Sequence, residues 1–282
     1  MAGLIPQPFE VLLARALAEF EAERAIFGLP RRSFWRGVEG RDLSIAHPGG
    51  RAATPLGPAA GPHTQLAHNI VVGWLAGARV VELKTVQVLD RLTIPRPCID
   101  AGDVGYNVEW SQELTCEDSA AQYATAWVLI HALHARGVTG AAGPPATRFD
   151  ASVGYDLAGI RSDKVARFLD TMRDAGVLLR GLRDRLPPAL RAAADAEVPP
   201  RIVEVVTLST FHGCPAEEVE AIVEHLLGRH AMHVVVKLNP TLLGYEAADL
   251  LVRGRLGFDE IELDRKSFEQ DLRWDQAVAL FE

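Results

Sequence analysis

Apolar positions along the chain fall into two kinds of run, and their alternation predicts the architecture. The clearest case spans residues 201–240. Ile202, Val203, Val205, Val206 and Leu208 form a β-branched run of strand length. A polar, turn-forming stretch from Ser209 to Pro215 follows. Val219, Ile222, Val223, Leu226 and Leu227 then recur at helical spacing. Pro215 suits the first helical position, and Glu217 and Glu218 suit the first turn, where the helix dipole favours negative charge. His233 to Leu238 is a second buried-type strand carrying Lys237 near its end. Strand, helix and strand in that order make a parallel βαβ crossover.

The same grammar appears earlier. Residues 54–60 are expected to form a short strand of small residues ending at Ala59, Ala60 and Gly61. Thr64 is placed to cap a helix over 65–75 that Gly77 terminates, and residues 79–86 form a strand delivering Lys84 and Thr85. Elsewhere the pattern predicts a helix over 9–27, a strand at 42–46 leading into the turn His47-Pro48-Gly49-Gly50, and a helix over 119–136. It also predicts a strand at 149–153, one long helix over 161–186, a helix at 247–252, a strand at 260–263 and a final helix from Asp275. Six strands are expected, near Leu56, Val81, Ala151, Val205, Val235 and Ile261. This is α/β architecture of the TIM (β/α)8 type with about six of eight βα units, or else an open α/β sheet. Residues 1–53 are assigned to an N-terminal helix and strand cap and residues 54–282 to the barrel, which is expected to be truncated at its C-terminus.

Bulk properties narrow the function classes. A formal charge of −8 disfavours nonspecific nucleic-acid binding. No run of about 18 apolar residues occurs, so no membrane span is expected. Cys98, Cys116 and Cys214 have no CxxC or Cys/His spacing, which suits a reducing, cytoplasmic setting and encodes no zinc or iron–sulfur site.

Candidate chemistry gathers at one rim. Loops after parallel strands emerge at the carboxyl-terminal edge of the sheet, where α/β proteins bind ligands. Cys214, Lys237 and Lys84 all belong to that edge, with Ala59, Ala60 and Gly61, whose small side chains let a flat ligand approach the backbone. Each residue also has a plain structural reading: Cys214 as a small buried hydrophobe, the lysines as strand caps. Residues 87–115 lack periodicity, and a loop of that length is usually functional. Within it Asn107 is the candidate for binding a substrate amide, or equally for satisfying a turn.

The segments TPLGPAAGPHTQLAHNIV, ELKTVQVLDRL, PCIDAGD, NVEWSQELT, SVGYDLAGI, VTLSTFHGCPAEEVEAI and VKLNPTLLGY closely resemble the N-terminal region of selenate reductase subunits of the YgfK type. More distantly that region is similar to the FMN barrels of dihydroorotate and dihydropyrimidine dehydrogenases. The resemblance implies an FMN-binding TIM barrel that exchanges electrons with a small-molecule substrate. It implies backbone contact to the flavin from Ala59, Ala60 and Gly61, lysine contacts from Lys84 (beside Thr85) and Lys237, substrate contacts from Asn107 and Asn239, and Cys214 as general acid or base. Phe211-His212-Gly213 before Cys214 and Ala216 after Pro215 depart from the dehydrogenase motif, so its substrate does not transfer. FAD, NAD(P)H and iron–sulfur sites belong to the downstream region of such proteins, which implies further redox domains or subunits as partners. The thiol is expected to be acidified by the neighbouring lysines. The competing readings are a non-catalytic barrel that docks redox partners and a Schiff-base lyase built on one lysine.

Overall fold

The chain enters through α1 (Phe9–Glu23), which buries Phe9, Leu12, Leu13 and Ala16. Two small antiparallel hairpins follow, β1 (Ala25–Ile26) with β2 (Leu29–Pro30), and β3 (Ile45–His47) with β4 (Gly50–Ala52). The second turns at His47-Pro48-Gly49-Gly50, as the sequence suggests. A Cβ on Gly50, whose φ is +120°, would come within 2.3 Å of the Arg148 guanidinium packed on it. These elements belong to a computed structural model that describes residues 4–90, 112–140, 145–210 and 214–281.

The centre is a parallel sheet of β5 (Val80–Glu82), β6 (Arg148–Gly154), β7 (Val203–Ser209) and β8 (His233–Lys237), paired in sequence order. Around and between them run α2 (Ala67–Leu75), α3 (Cys116–Ala135), α4 (Leu157–Ile160), α5 (Asp163–Arg173), α6 (Gly176–Asp184), α7 (Pro188–Arg191) and α8 (Val219–His230). The chain then passes through α9 (Tyr245–Asp249), α10 (Arg265–Gln270) and α11 (Trp274–Phe281).

The two sheet faces have opposite chemistry. Val81, Leu83, Phe149, Ala151, Val153, Val203, Val206 and Leu208 are buried on the helix side, where Trp127 meets the Phe149 ring edge-on at 5.1 Å. Each Val, Leu or Phe side chain so removed from water contributes about 1.5–3 kcal/mol. Alternation and register put Glu82, Asp150, Ser152, Thr207, Ser209, Val235 and Lys237 on the other face. Two irregularities adjust the pattern. Phe149 pairs with Val203 but Asp150 with Val205, so Glu204 is an extra residue. Glu82 to Val86 is four steps against three from Asp150 to Val153, so Lys84 and Thr85 share one place in the ladder. Tyr123, fully buried, donates its hydroxyl to the Lys84 carbonyl there at 3.1 Å.

Several expected elements differ, among them the helix expected over 9–27, which ends at Glu23 before β1. Residues 54–60 run beside β5 without forming a strand: Leu56 accepts from Val80 N–H at 3.2 Å and Pro58 accepts from Glu82 N–H at 3.1 Å. The return bond that a parallel ladder needs would come from residue 58, and proline has no N–H. Residues 260–263 are also not a strand. Only Ile261 and Leu263 are apolar there, Ile261 N–H closes a turn onto Phe258, and Asp264 caps α10. The helix expected over 161–186 is two helices, α5 and α6, broken before Gly176 where Ala175 N–H leaves to bond Pro200 O at 2.8 Å. Thr64 turns back onto Gly61, and Ala67 at the start of α2 is met instead by the Gln122 side chain at 3.0 Å.

Gly57 is the tightest joint between the 54–60 segment and the sheet, since a Cβ there would lie 1.3 Å from the Val80 carbonyl oxygen. Gly57→Ala is expected to lose about 2–3 kcal/mol in urea denaturation. Gly73→Ala in α2, whose added carbon meets nothing nearer than 3.9 Å, is the control and is expected to gain slightly.

Candidate active site at the carboxyl-terminal rim

The polar sheet face carries its charges toward the strand ends. Lys237, the last residue of β8, places its ammonium 3.2 Å from Glu82 Oε1 and 3.4 Å from Oε2, and hydrogen-bond geometry favours Oε2. Glu82 Oε2 also accepts the Ala60 N–H at 2.9 Å. One carboxylate thus joins the small-residue segment, β5 and β8. Adjacent strands are about 4.8 Å apart, so β5 and β8 would stand about 14 Å apart in a flat sheet. Their side chains meet because the sheet curls, with Glu82 and Lys237 on its concave side.

Lys84 stands in the same field. Its pKa is pulled down to about 8, first by burial of the amine and then by the Lys237 charge, with Glu82 opposing the fall. The two lysines thus share one electrostatic field. Thr85 Oγ1 lies 2.8 Å from Ser152 Oγ on β6. Ala59 is exposed, Ala60 half-buried and Gly61 buried. Gly61 is held by Thr64 Oγ1, which accepts its N–H at 3.2 Å and donates to its carbonyl at 3.1 Å.

Deeper in the concavity lies Asp150, buried on β6 as the register partner of Glu82. His47 Nε2 is 3.2 Å from its Oδ2, while Gly49 N–H donates to His47 Nδ1, which leaves the imidazole proton on Nε2. Burial raises the Asp150 pKa, Glu82 adds to the rise, and His47 opposes it. Neither Glu82 nor Asp150 stood out in the sequence. Each is one acid inside a strand of apolar alternation, and an acid at an inward position was the available signal.

Cys214 has a different environment from the one expected. It is half-buried against the core, and its pKa is pushed up to about 12, first by burial and then by Glu218, Asp271, Asp156 and Glu217. Carboxylates, not lysines, dominate its field, so the acidified thiol is corrected to one that stays protonated. Helix architecture explains it: Asp156 caps α4, and Glu218 accepts the Leu157 N–H at 2.6 Å at the start of α4. Asn239 gives its amide nitrogen to Asp271 at 2.7 Å, and Thr241 donates to the same carboxylate at 2.7 Å. Thr210 Oγ1 donates to the Lys237 carbonyl at 2.7 Å, tying the β7 and β8 ends together. Asn107 lies outside the described residues.

A curled parallel sheet, helices on its convex side and cations at its carboxyl-terminal ends define the wall of an α/β barrel with a rim site. The family model described as "Oxidoreductase YgfK, N-terminal TIM-barrel domain" matches residues 27–282, and the chain belongs to that family. The chain is 42% identical over 296 residues to "Putative oxidoreductase YgfK" of Escherichia coli strain K12, and equally to that of Escherichia coli O157:H7. Each alignment covers 98% of this chain, which spans 28% of the length of those relatives. Among solved structures it is similar to a ligand-free DHODH from Eimeria tenella, at 15% identity and a TM-score of 0.38, over 75% of this chain and 67% of that one. Among the described residues no helix is long and apolar enough to cross a membrane.

With a pKa near 12, Cys214 is expected to alkylate slowly with iodoacetamide at pH 8 and about tenfold faster per pH unit above it. Glu218→Gln should raise the rate at fixed pH. Mass spectrometry of the Cys214 peptide reads both.

Proposed function

We propose that this domain is a flavin-dependent oxidoreductase module of a longer, multi-domain protein, passing electrons between FMN and a small substrate. The observation that carries the reading is the convergence of Lys84, Lys237 and the Ala60 amide on one concave rim. The residues fit the group. Ala59 to Gly61 offer no side chain larger than a methyl, and two basic side chains stand beside them at strand ends. When bound, FMN would supply two-electron chemistry. The chain's own residues would supply binding and charge: Ala59, Ala60 and Gly61 against the flat ring, Lys84 and Lys237 where reduction builds negative charge.

Cys214 is the proton-handling residue in this reading. A thiol that stays protonated to about pH 12 is set to donate. That favours the direction in which the substrate is reduced, since acting as base would first require its acidic surroundings to change. Asn239, oriented by Asp271, stands beside Thr210 at the same rim as a substrate contact. The FAD, NAD(P)H and iron–sulfur sites that would relay electrons are assigned to regions beyond this domain and to partner redox subunits.

Purified full-length protein is expected to release about one FMN per chain on denaturation, and the double variant Lys84→Met, Lys237→Met to release far less. A full-length protein that releases no FMN overturns the reading. Cys214→Ser should retain FMN and lose about 10²–10⁴-fold in substrate turnover. Unchanged turnover would leave the domain a docking scaffold.

A further inference from the structure

Glu82 is the least expected group at the rim. It is an acid on an inward position of β5, its side chain is 15% exposed, and it touches two other parts of the chain that approach it from different directions. From the segment before β5 comes the Ala60 N–H, and from the far side of the curl comes the Lys237 ammonium. Lys84 from its own strand and Asp150 from β6 also face it, and Asp150 leans on His47. The Lys237 side chain is 41% exposed, so its reach inward to a sheltered carboxylate is a choice against open solvent.

We propose that Glu82 is the positioning residue of the rim: it fixes Lys237 and the Ala60 amide in one arrangement and holds the lysine pair to a single net positive charge. This deepens the flavin reading and rests on it only for what the charge is used for. With burial and Glu82 favouring the neutral form of Asp150, two ammonium groups and one carboxylate sum to one positive charge, which matches the one negative charge that two-electron reduction places on the flavin. Without Glu82, two unpaired cations would face each other across the concavity, one of them partly desolvated, and the Ala60 N–H would lose its acceptor. Glu82 contacts Lys237 and the Ala60 amide, so it acts through the groups it holds.

The test is competitive labelling of lysines with acetic anhydride across pH in the full-length protein, read at the Lys84 peptide. Wild-type Lys84 should show a midpoint near 8. Glu82→Gln, which keeps an acceptor for Ala60 but removes the charge, should move that midpoint down by about one unit. Lys237→Met should move it up, because it removes a repulsion. Opposite signs are the signature that loosened packing would not produce. A midpoint unmoved by Glu82→Gln, or moved the same way by both variants, overturns the proposal. Glu82→Asp guards against misfolding of the amide variant and should keep the midpoint near the wild-type value; a fall as large as that of Glu82→Gln counts against the assignment. In protein that carries FMN, Glu82→Gln should also favour the reduced form about tenfold, a rise of about 30 mV for a two-electron couple. Full-length protein without FMN sinks the flavin reading alone, because the labelling still judges Glu82.

Discussion

An ammonium at the end of β8 reaching a carboxylate on β5, with two strands between them, requires a curled sheet. The rest of the site follows from that curvature. It turns one face concave and brings Lys84 and Lys237 into a common field. It also lets the 54–60 segment lie along β5 with its Ala60 amide aimed at the same carboxylate. The convex face, packed with Val, Leu, Phe and Ala under helices, drives the folding. The concave face gives up apolar packing in favour of polar groups that meet one another. Those polar groups lie toward the strand ends, where α/β barrels place their sites.

Cys214 shows how a motif and its surroundings can disagree. The sequence places a thiol in the loop after one strand and lysines at the ends of others, and loops at one edge invite the inference that all three interact. The lysines do. The thiol instead stands where α4 and the approach to α8 present their N-terminal carboxylates, with Asp271 added from the segment before α11. Carboxylates near helix starts are favoured by the helix dipole, so acidic residues there are a local consequence of helix formation. Their sum on one sulfur is not visible locally. The result changes the expected state of the residue from a thiol acidified by lysines to one that stays protonated.

The ladder irregularities have a similar origin. Pro58 looks harmless in a short small-residue run, yet it removes the one amide that would complete the parallel ladder with β5. The extra residue at Lys84-Thr85 puts two consecutive side chains at the site, and buried Tyr123 covers the carbonyl that the irregularity exposes. Helix 161–186 reads as continuous by periodicity, but the Ala175 amide finds Pro200 some distance along the chain and the helix ends there. None of these partners lies within one helical turn or one strand of the residue it alters.

Local pattern was sufficient for the strand–helix alternation, the burial of the apolar faces and the delivery of Lys84 and Lys237 to strand ends, because periodicity and propensity act over a few residues. It was sufficient too for the YgfK-type resemblance, carried by long ordered blocks. The pairing of Glu82 with Lys237 and its sharing with Ala60 join residues 155 and 22 positions apart, and Asp156 and Asp271 reach the Cys214 thiol from distant segments. Those contacts exist because the sheet curls and the helices pack, and electrostatic energy depends on distance through space, to which spacing along the chain is blind.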